Sequence, residues 1–309
     1  MIIIQTSAND ASTQSVIQWL SFFGEDFLRL DDNTFVEIKR LDRHHIILVL
    51  NGEEVDFNKI KSFWYRRGHF FLTKENEKNS LNNFLKTENE DAFELLQLKL
   101  LDKKHIGNYK YDNVNKLIVS ELAEKCGLDV PDYIITNNKS DLLEFKEKHQ
   151  KIITKHIQGL PFFKIENYMM GALTKIVETE DIINFEENFS HSLFQEYIDK
   201  EIEIRSFFIN DTFYSSAIFS QNDGQTTIDF RDYNRTKPNR VAPFKLPEEI
   251  EEKLKTLNEK LNINSGSYDL ILSKDSKYYF LEVNPIGQFA QVSGPCNYYL
   301  ERKIAEELL

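Results

Sequence analysis

The stretch that most restricts this chain lies near its C-terminus. Ser267-Tyr268-Asp269-Leu270-Ile271-Leu272 and Tyr278-Tyr279-Phe280-Leu281-Glu282-Val283-Asn284 are apolar-rich runs joined by the polar Ser273-Lys274-Asp275-Ser276-Lys277. Two such runs around a polar turn predict a β-hairpin. Strict alternation in the second strand puts Phe280, Glu282 and Asn284 on one face and Leu281 and Val283 on the other. Asp269, on the partner strand, can face Glu282 and Asn284. Two carboxylates and an amide oxygen make an oxygen-only site suited to Mg²⁺, which keeps waters and takes phosphate oxygens as further ligands. The competing account is that Glu282 and Asn284 are ordinary solvent-facing strand residues.

Composition sets bounds around that hairpin. The chain has 309 residues, enough for one large multi-lobed unit or a few small domains. Hydrophobic residues make up 41% and charged residues 28%, so an ordinary core is expected. No apolar run reaches the roughly 18 residues that a membrane span needs, so no membrane partner is expected. Met1-Ile2-Ile3-Ile4-Gln5 has no basic region before its apolar residues and reads as a first strand rather than a signal peptide. Cys126 and Cys296 alone cannot form a disulfide framework or a Cys-based zinc site, and a reducing cytoplasm is the expected compartment. The histidines are scattered, and His44, His45 and His105 lack metal-ligand spacing. A formal net charge of −12 argues against nucleic acid as a partner. A chain this acidic must gather its Lys and Arg locally to hold a polyphosphate.

The chain reads as an α/β (α+β) protein in three segments, 1–110, 111–192 and 193–309. In the first, strands are expected over 2–5, 27–30 and 45–50, with an amphipathic helix over 12–23 and an Asn51-Gly52 turn. Phe63-Trp64-Tyr65-Arg66-Arg67-Gly68 is either an edge strand with snorkelling arginines or a strand end facing an anion. A polar linker over 73–79 leads to a long amphipathic helix over 81–101. The second segment predicts a helix over 115–125 stopped by Gly127, a strand over 130–136, a helix over 141–149 and strands over 151–155 and 173–177. In the third, Glu203 and Arg205 share a strand face. Arg205 is then either a cross-strand ion-pair partner of small worth or a forked clamp for a phosphate or a substrate carboxylate. Arg231, Arg235, Lys237 and Arg240 form either a solvated basic loop or a pocket for acidic side chains and an acyl phosphate. Helices over 247–261 and 298–309 close the chain.

Asp269 followed by Glu282-x-Asn284-Pro285-x-Gly287 resembles the metal-binding end of the ATP-grasp ligases. The resemblance implies that Asp269, Glu282 and Asn284 bind Mg²⁺ ions bridging the phosphates of ATP. The order Asn115-Lys116, helix, Gly127, Val130-Pro131, strand is similar to the middle domain of that family. It implies phosphate contacts from Lys116 and Lys155. By the same resemblance Gln195-Glu196-Tyr197-Ile198 is the adenine hinge, read through backbone groups and an acidic side chain, and Glu203 is the ribose-binding acid. The family's glycine-rich flap has a poor counterpart here, since His156 to Phe163 contains the single Gly159.

The Ser62-Phe63-Trp64-Tyr65-Arg66-Arg67 stretch, the segment from Ser220 to Arg231 and the end Glu282 to Phe289 resemble the graspetide maturases, of the grasp-with-spasm and microviridin ligase kind. What this implies is an ADP-forming macrocyclase acting on a ribosomal precursor peptide with a leader and an acidic, Thr-rich core. Core Glu or Asp would be activated as acyl phosphates and joined to Thr or Ser hydroxyls as ω-esters or to Lys amines as ω-amides. Lys155 and Arg231 would help neutralise the transferring charge, Arg205 could clamp a phosphate or carboxylate, and Arg231 would grip the substrate carboxylate. Other readings stay open: a ligase adding free amino acids to a carboxylate, a non-catalytic peptide-binding module, and a Mg²⁺/ATP kinase. Ester or amide linkage and monomer or homodimer are not fixed.

Overall fold

Ile2, Ile3 and Ile4 are all essentially fully buried, the pattern of a central strand covered on both faces. The computed structural model describes residues 1–31, 34–68, 80–157, 162–165, 168–171, 174–222, 228, 234, 236 and 238–309. Its first part comprises β1 (Ile2–Gln5), α1 (Ala11–Phe22), β2 (Phe27–Leu30), β3 (Val36–Leu41), β4 (Ile46–Leu50), β5 (Glu53–Asp56), β6 (Ser62–Tyr65), α2 (Ser80–Leu101) and β7 (Lys104–Ile106). Strands β2-β1-β6-β7 make a parallel sheet, and β3-β4-β5 a separate antiparallel one. Only β4 of that small sheet was expected, as an apolar run before the Asn51-Gly52 turn. β3 and β5 carry charged residues on exposed positions, which blurs the signal. The expected linker over 73–79 lies outside the described residues.

The second part comprises α3 (Lys116–Lys125), β8 (Tyr133–Asn138), α4 (Lys139–His149), β9 (Ile152–Lys155), β10 (Phe162–Ile165), β11 (Tyr168–Gly171), β12 (Lys175–Val177), α5 (Thr179–Ile183) and β13 (Asn188–Glu196). Strands β12-β9-β13-β8 form an antiparallel sheet, and β10 pairs with β11. The third part comprises β14 (Lys200–Ile209), β15 (Thr212–Phe219), β16 (Arg240–Phe244), α6 (Glu248–Leu261), β17 (Ser265–Ser273), β18 (Tyr278–Asn284), α7 (Ala290–Cys296) and α8 (Leu300–Glu307). Its sheet is antiparallel in the order β16-β15-β14-β17-β18.

Packing ties the beginning of the chain to its end. Ile2, Ile4 and Trp64 on one face of the parallel sheet meet Val16 and Leu20 of α1, Leu300, Ile304 and Leu308 at α8, and Phe207 and Phe289. Ile3, Phe63 and Tyr65 on the other face meet β3–β5 and Phe93, Leu96 and Leu100 of α2. Each such fully buried side chain contributes about 1.5–3 kcal/mol. The Ser62 hydroxyl donates to the Leu308 carbonyl at 2.6 Å. Asn264 accepts from the Gly107 amide and donates to the His105 carbonyl, each at 2.8 Å, fixing the start of β17 against the parallel sheet. The five-stranded sheet packs through Ile204, Phe208, Tyr268, Leu270, Phe280 and Val283 onto α3 and α6. Among the described residues, no helix is long and apolar enough to cross a membrane.

Candidate active site

The expected hairpin is present as β17 and β18, but its second strand does not alternate. Asp269 lies opposite Glu282 and Leu270 opposite Phe280, so Leu281 is an extra residue, a bulge. Phe280 therefore leaves the Glu282 face, contrary to strict alternation. It is 1% exposed and packs edge-on against Tyr268 in the core. Leu281 and Glu282 both line an open cavity instead.

The cavity lies between the second antiparallel sheet and the five-stranded one. Lys155 at the end of β9, Gln195-Glu196-Tyr197-Ile198 at and beyond the end of β13, Glu203 of β14, Asp269 of β17 and Glu282 of β18 all line it, with Ile153, Ile204, Ile218, Leu270 and Ile271 as apolar wall. Residues far apart in sequence thus meet in one cleft. Lys116, the first residue of α3, reaches the same place by pairing with Glu282 at 2.5 Å. Asn115 caps that helix by accepting from the Leu117 and Ile118 amides, which holds Lys116 at the helix start. Arg205 sits directly across from Asp269. Its Nε lies 3.0 Å from Oδ1 and its Nη2 donates to Oδ2 at 3.3 Å, and another guanidinium nitrogen donates to Gln291. The cross-strand ion pair is therefore formed.

Lys200 was not singled out by sequence, yet it lines the cleft. Its ammonium donates to Glu203 at 2.7 Å and to the Ile228 carbonyl at 3.0 Å, and the Ser220 hydroxyl donates to the same Glu203 oxygen at 2.7 Å. On a regular strand, positions three apart point to opposite sides. A second register shift, between Lys200 and Ile202, brings Lys200 round to Glu203. The spacing Lys-x-x-Glu was the available signal, and period-two reasoning hides it.

The acid of the expected hinge turns partly away from the cleft. Glu196 accepts from the Asp132 amide at 2.8 Å, and its other oxygen lies 3.5 Å from Nδ1 of His149. Nε2 of His149 is 2.8 Å from Asp132, which Lys148 also contacts at 2.6 Å. Burial raises the Asp132 carboxyl, but bonds from Lys148 and His149 outweigh it and leave it below the ordinary value. Main-chain N–H groups of Glu196 and Tyr197 donate to the carbonyls of Asp132 and Lys151. Burial, with Asp199 nearby, raises the Tyr197 phenol.

Asn284 does not line the cavity. Its Oδ1 accepts from the Ile286 amide at 3.0 Å, which starts the tight loop after β18. Beyond it Arg66, just past the end of β6, is 4% exposed, and β6 is an inner strand rather than the edge strand with snorkelling arginines. It pairs with Asp10 at 3.2 Å and donates to the Ile286 carbonyl. Desolvation pulls this guanidinium down to about 10 despite Asp10. Arg240 lies over the Phe219 ring rather than in the cleft. Arg231, Arg235, Lys237 and Gly159 lie outside the described residues.

The oxygen donors suit a hard divalent cation. Asp269 and Glu282 meet across the strands at the cleft wall, and among the described residues no group of three or more His, Cys, Asp or Glu is placed to hold a metal ion by itself. Two carboxylates with room for an amide, water and phosphate are a Mg²⁺ donor set.

No protein-family model matches the sequence, and no curated protein matches it. Solved structures do, over essentially the whole chain. The macrocyclase MdnC from Microcystis aeruginosa MRC, bound with precursor peptide MdnA, is 24% identical with a TM-score of 0.76, covering 99% of this chain and 98% of that one. A Chryseobacterium gregarium RiPP-associated ATP-grasp ligase, in complex with ADP and a leader and core peptide, is 20% identical with a TM-score of 0.79, covering 99% and 94%. This chain has the ATP-grasp fold. The ATP-grasp ligase PsnB, complexed with a phosphomimetic variant of minimal precursor, Mg and ADP, is 17% identical with a TM-score of 0.73, covering 99% and 97%. The cleft described above lies between two sheets of this ATP-grasp chain, β12-β9-β13-β8 and β16-β15-β14-β17-β18.

Proposed function

We propose that this chain is an ADP-forming carboxylate ligase that macrocyclises a ribosomal precursor peptide. The observation that carries the reading is the cleft holding Lys155, the 195–198 hinge, Glu203, Asp269 and Glu282, in a fold shared along its full length with a peptide-bound macrocyclase and a peptide-bound ATP-grasp ligase. A core Glu or Asp carboxylate attacks the terminal phosphorus of ATP, ADP leaves, and a Thr, Ser or Lys side chain displaces phosphate from the acyl carbon. Lys155 and Lys116 hold the phosphates, and main-chain groups around Ile198 read adenine, since the Glu196 carboxylate is engaged by Asp132 and His149. Glu203, steadied by Lys200 and Ser220, takes the ribose hydroxyls. Asp269, Glu282 and Asn284 would hold Mg²⁺, which supplies charge neutralisation at the phosphates. Arg205 then exchanges Asp269 for a substrate carboxylate, and Arg231 serves the same carboxylate. The partners are a leader and an acidic core; no nucleic acid is involved. We also propose the division at 110 and 192, the second falling within β13, and a cytoplasmic setting, which the free Cys126 and Cys296 support.

The test is mass spectrometry after incubation with ATP, Mg²⁺ and a short Thr- and Glu-rich peptide encoded beside the gene. Loss of one water per ring with no added mass, and none with Glu282→Gln, is expected. Added amino-acid mass, a surviving phosphopeptide, or no peptide-dependent ADP would each overturn the reading.

A further inference from the structure

The loop that carries Asn284 is held from outside its own sheet. Arg66, from the end of β6, donates to the Ile286 carbonyl and, at 3.4 Å, to that of Gly287, and reaches Gln288 Oε1 at 3.3 Å. Its guanidinium carbon lies 5.6 Å from the Phe289 ring centre. Asp10 holds Arg66 from behind: one oxygen caps α1 through the Ser12 and Thr13 amides, and the other pairs with Arg66 at 3.2 Å and Arg67 at 2.8 Å. Both partners are about 5% exposed or less, so the fork has little freedom. A buried charge aimed at main-chain carbonyls is expensive unless its geometry is specific.

We propose that Arg66 is a positioning residue for the metal end of the cleft, setting the 284–288 loop and with it Asn284, which lies two residues beyond Glu282 at the end of β18. The inference rests on the Mg²⁺ reading above. Arg66 does not line the cleft. It acts by fixing the loop from the parallel sheet, as outer partners of metal ligands do.

The test is calorimetric titration of ADP into the full chain, once with Mn²⁺ and once with EDTA, so that the metal-dependent gain in ADP affinity is read without turnover. Arg66→Lys keeps the charge and loses the fork. Asp10→Asn keeps an acceptor for the α1 cap and removes the charge behind Arg66, so it carries the test if Arg66→Lys fails to fold. In a folded variant the gain should fall about tenfold, with metal-free ADP affinity unchanged. A purely structural role would lower the thermal midpoint and leave the gain intact, which would overturn the proposal. Glu282→Gln separates the two readings. If it abolishes the gain while the Arg66 and Asp10 variants keep it, only the positioning role fails. If Glu282→Gln keeps the gain, the metal assignment itself fails.

Discussion

A β-carbon at Gly287 would stand 2.4 Å from both the amide nitrogen and the hydroxyl oxygen of Ser267. The atoms it would meet include backbone, so the loop must move rather than a flexible side chain. Gly287→Ala should therefore cost about 1–3 kcal/mol, read as a lower urea midpoint, and should lower ADP release more than stability alone explains. Unchanged ADP release would mean that loop position does not matter to the cleft. Asp10 gives a residue-scale pH effect. Burial opposes its ionisation, but Ser12, Arg66 and Arg67 outweigh it and hold the carboxyl below its ordinary 3.8. Its folded value is below its unfolded value, so its stabilisation is present above 3.8 and lost as pH falls through the lower folded value. Urea unfolding should thus show wild type losing stability more steeply than Asp10→Asn on acidification below that point. Parallel slopes would remove Asp10 from the acid response.

Helix α3 shows how an element aims a charge. Asn115 caps it and Lys116 begins it, so the pairing with Glu282 depends on where the first turn starts. Asn115→Ala should cost about 1 kcal/mol and weaken metal-free ADP binding, measured by urea titration and calorimetry; an unaltered affinity would show that Lys116 needs no fixed helix start. Helix α3 was legible because Asn-Lys before an apolar-periodic run and Gly127 after it are local signals, although Asn115, expected inside the helix, caps it from just outside. Hairpin β17–β18 was legible as a hairpin for the same reason. The direction of its side chains was not, because alternation assumes two residues per repeat and a bulge adds one. Phe280 therefore went to the core and Leu281 to the cleft. The Lys200–Glu203 pair escaped through the second irregularity, in β14. Arg66 escaped for another reason: its partner carbonyls lie 220 residues away in sequence, and no local pattern announces a contact of that range.

Across the whole molecule, the cleft has two walls on separate sheets, with residues 197–199 between the last strand of one and the first of the other. Lys155, Gln195 and Ile153 line one wall, and Asp269, Leu270, Leu281 and Glu282 the other. The net charge of −12 makes a polyphosphate a poor guest anywhere that Lys and Arg are not gathered; this cleft gathers lysines at 116, 155 and 200, with Lys116 paired to Glu282 and Lys200 to Glu203. A nucleotide seated there must touch both walls at once and should slow local opening in each. Hydrogen exchange with Mg²⁺·ADP should therefore gain protection at 152–155 and 195–198 on one sheet and at 269–272 and 280–283 on the other. The parallel sheet at 2–5 and 62–65 should change little, because none of those residues is among the described residues that line the cleft. With Glu282→Gln, protection of the first wall should persist while that of 280–283 fades, since the proposed adenine and ribose contacts would survive and the proposed metal contact would not. Protection confined to one sheet in the unsubstituted protein would place the nucleotide outside the cleft.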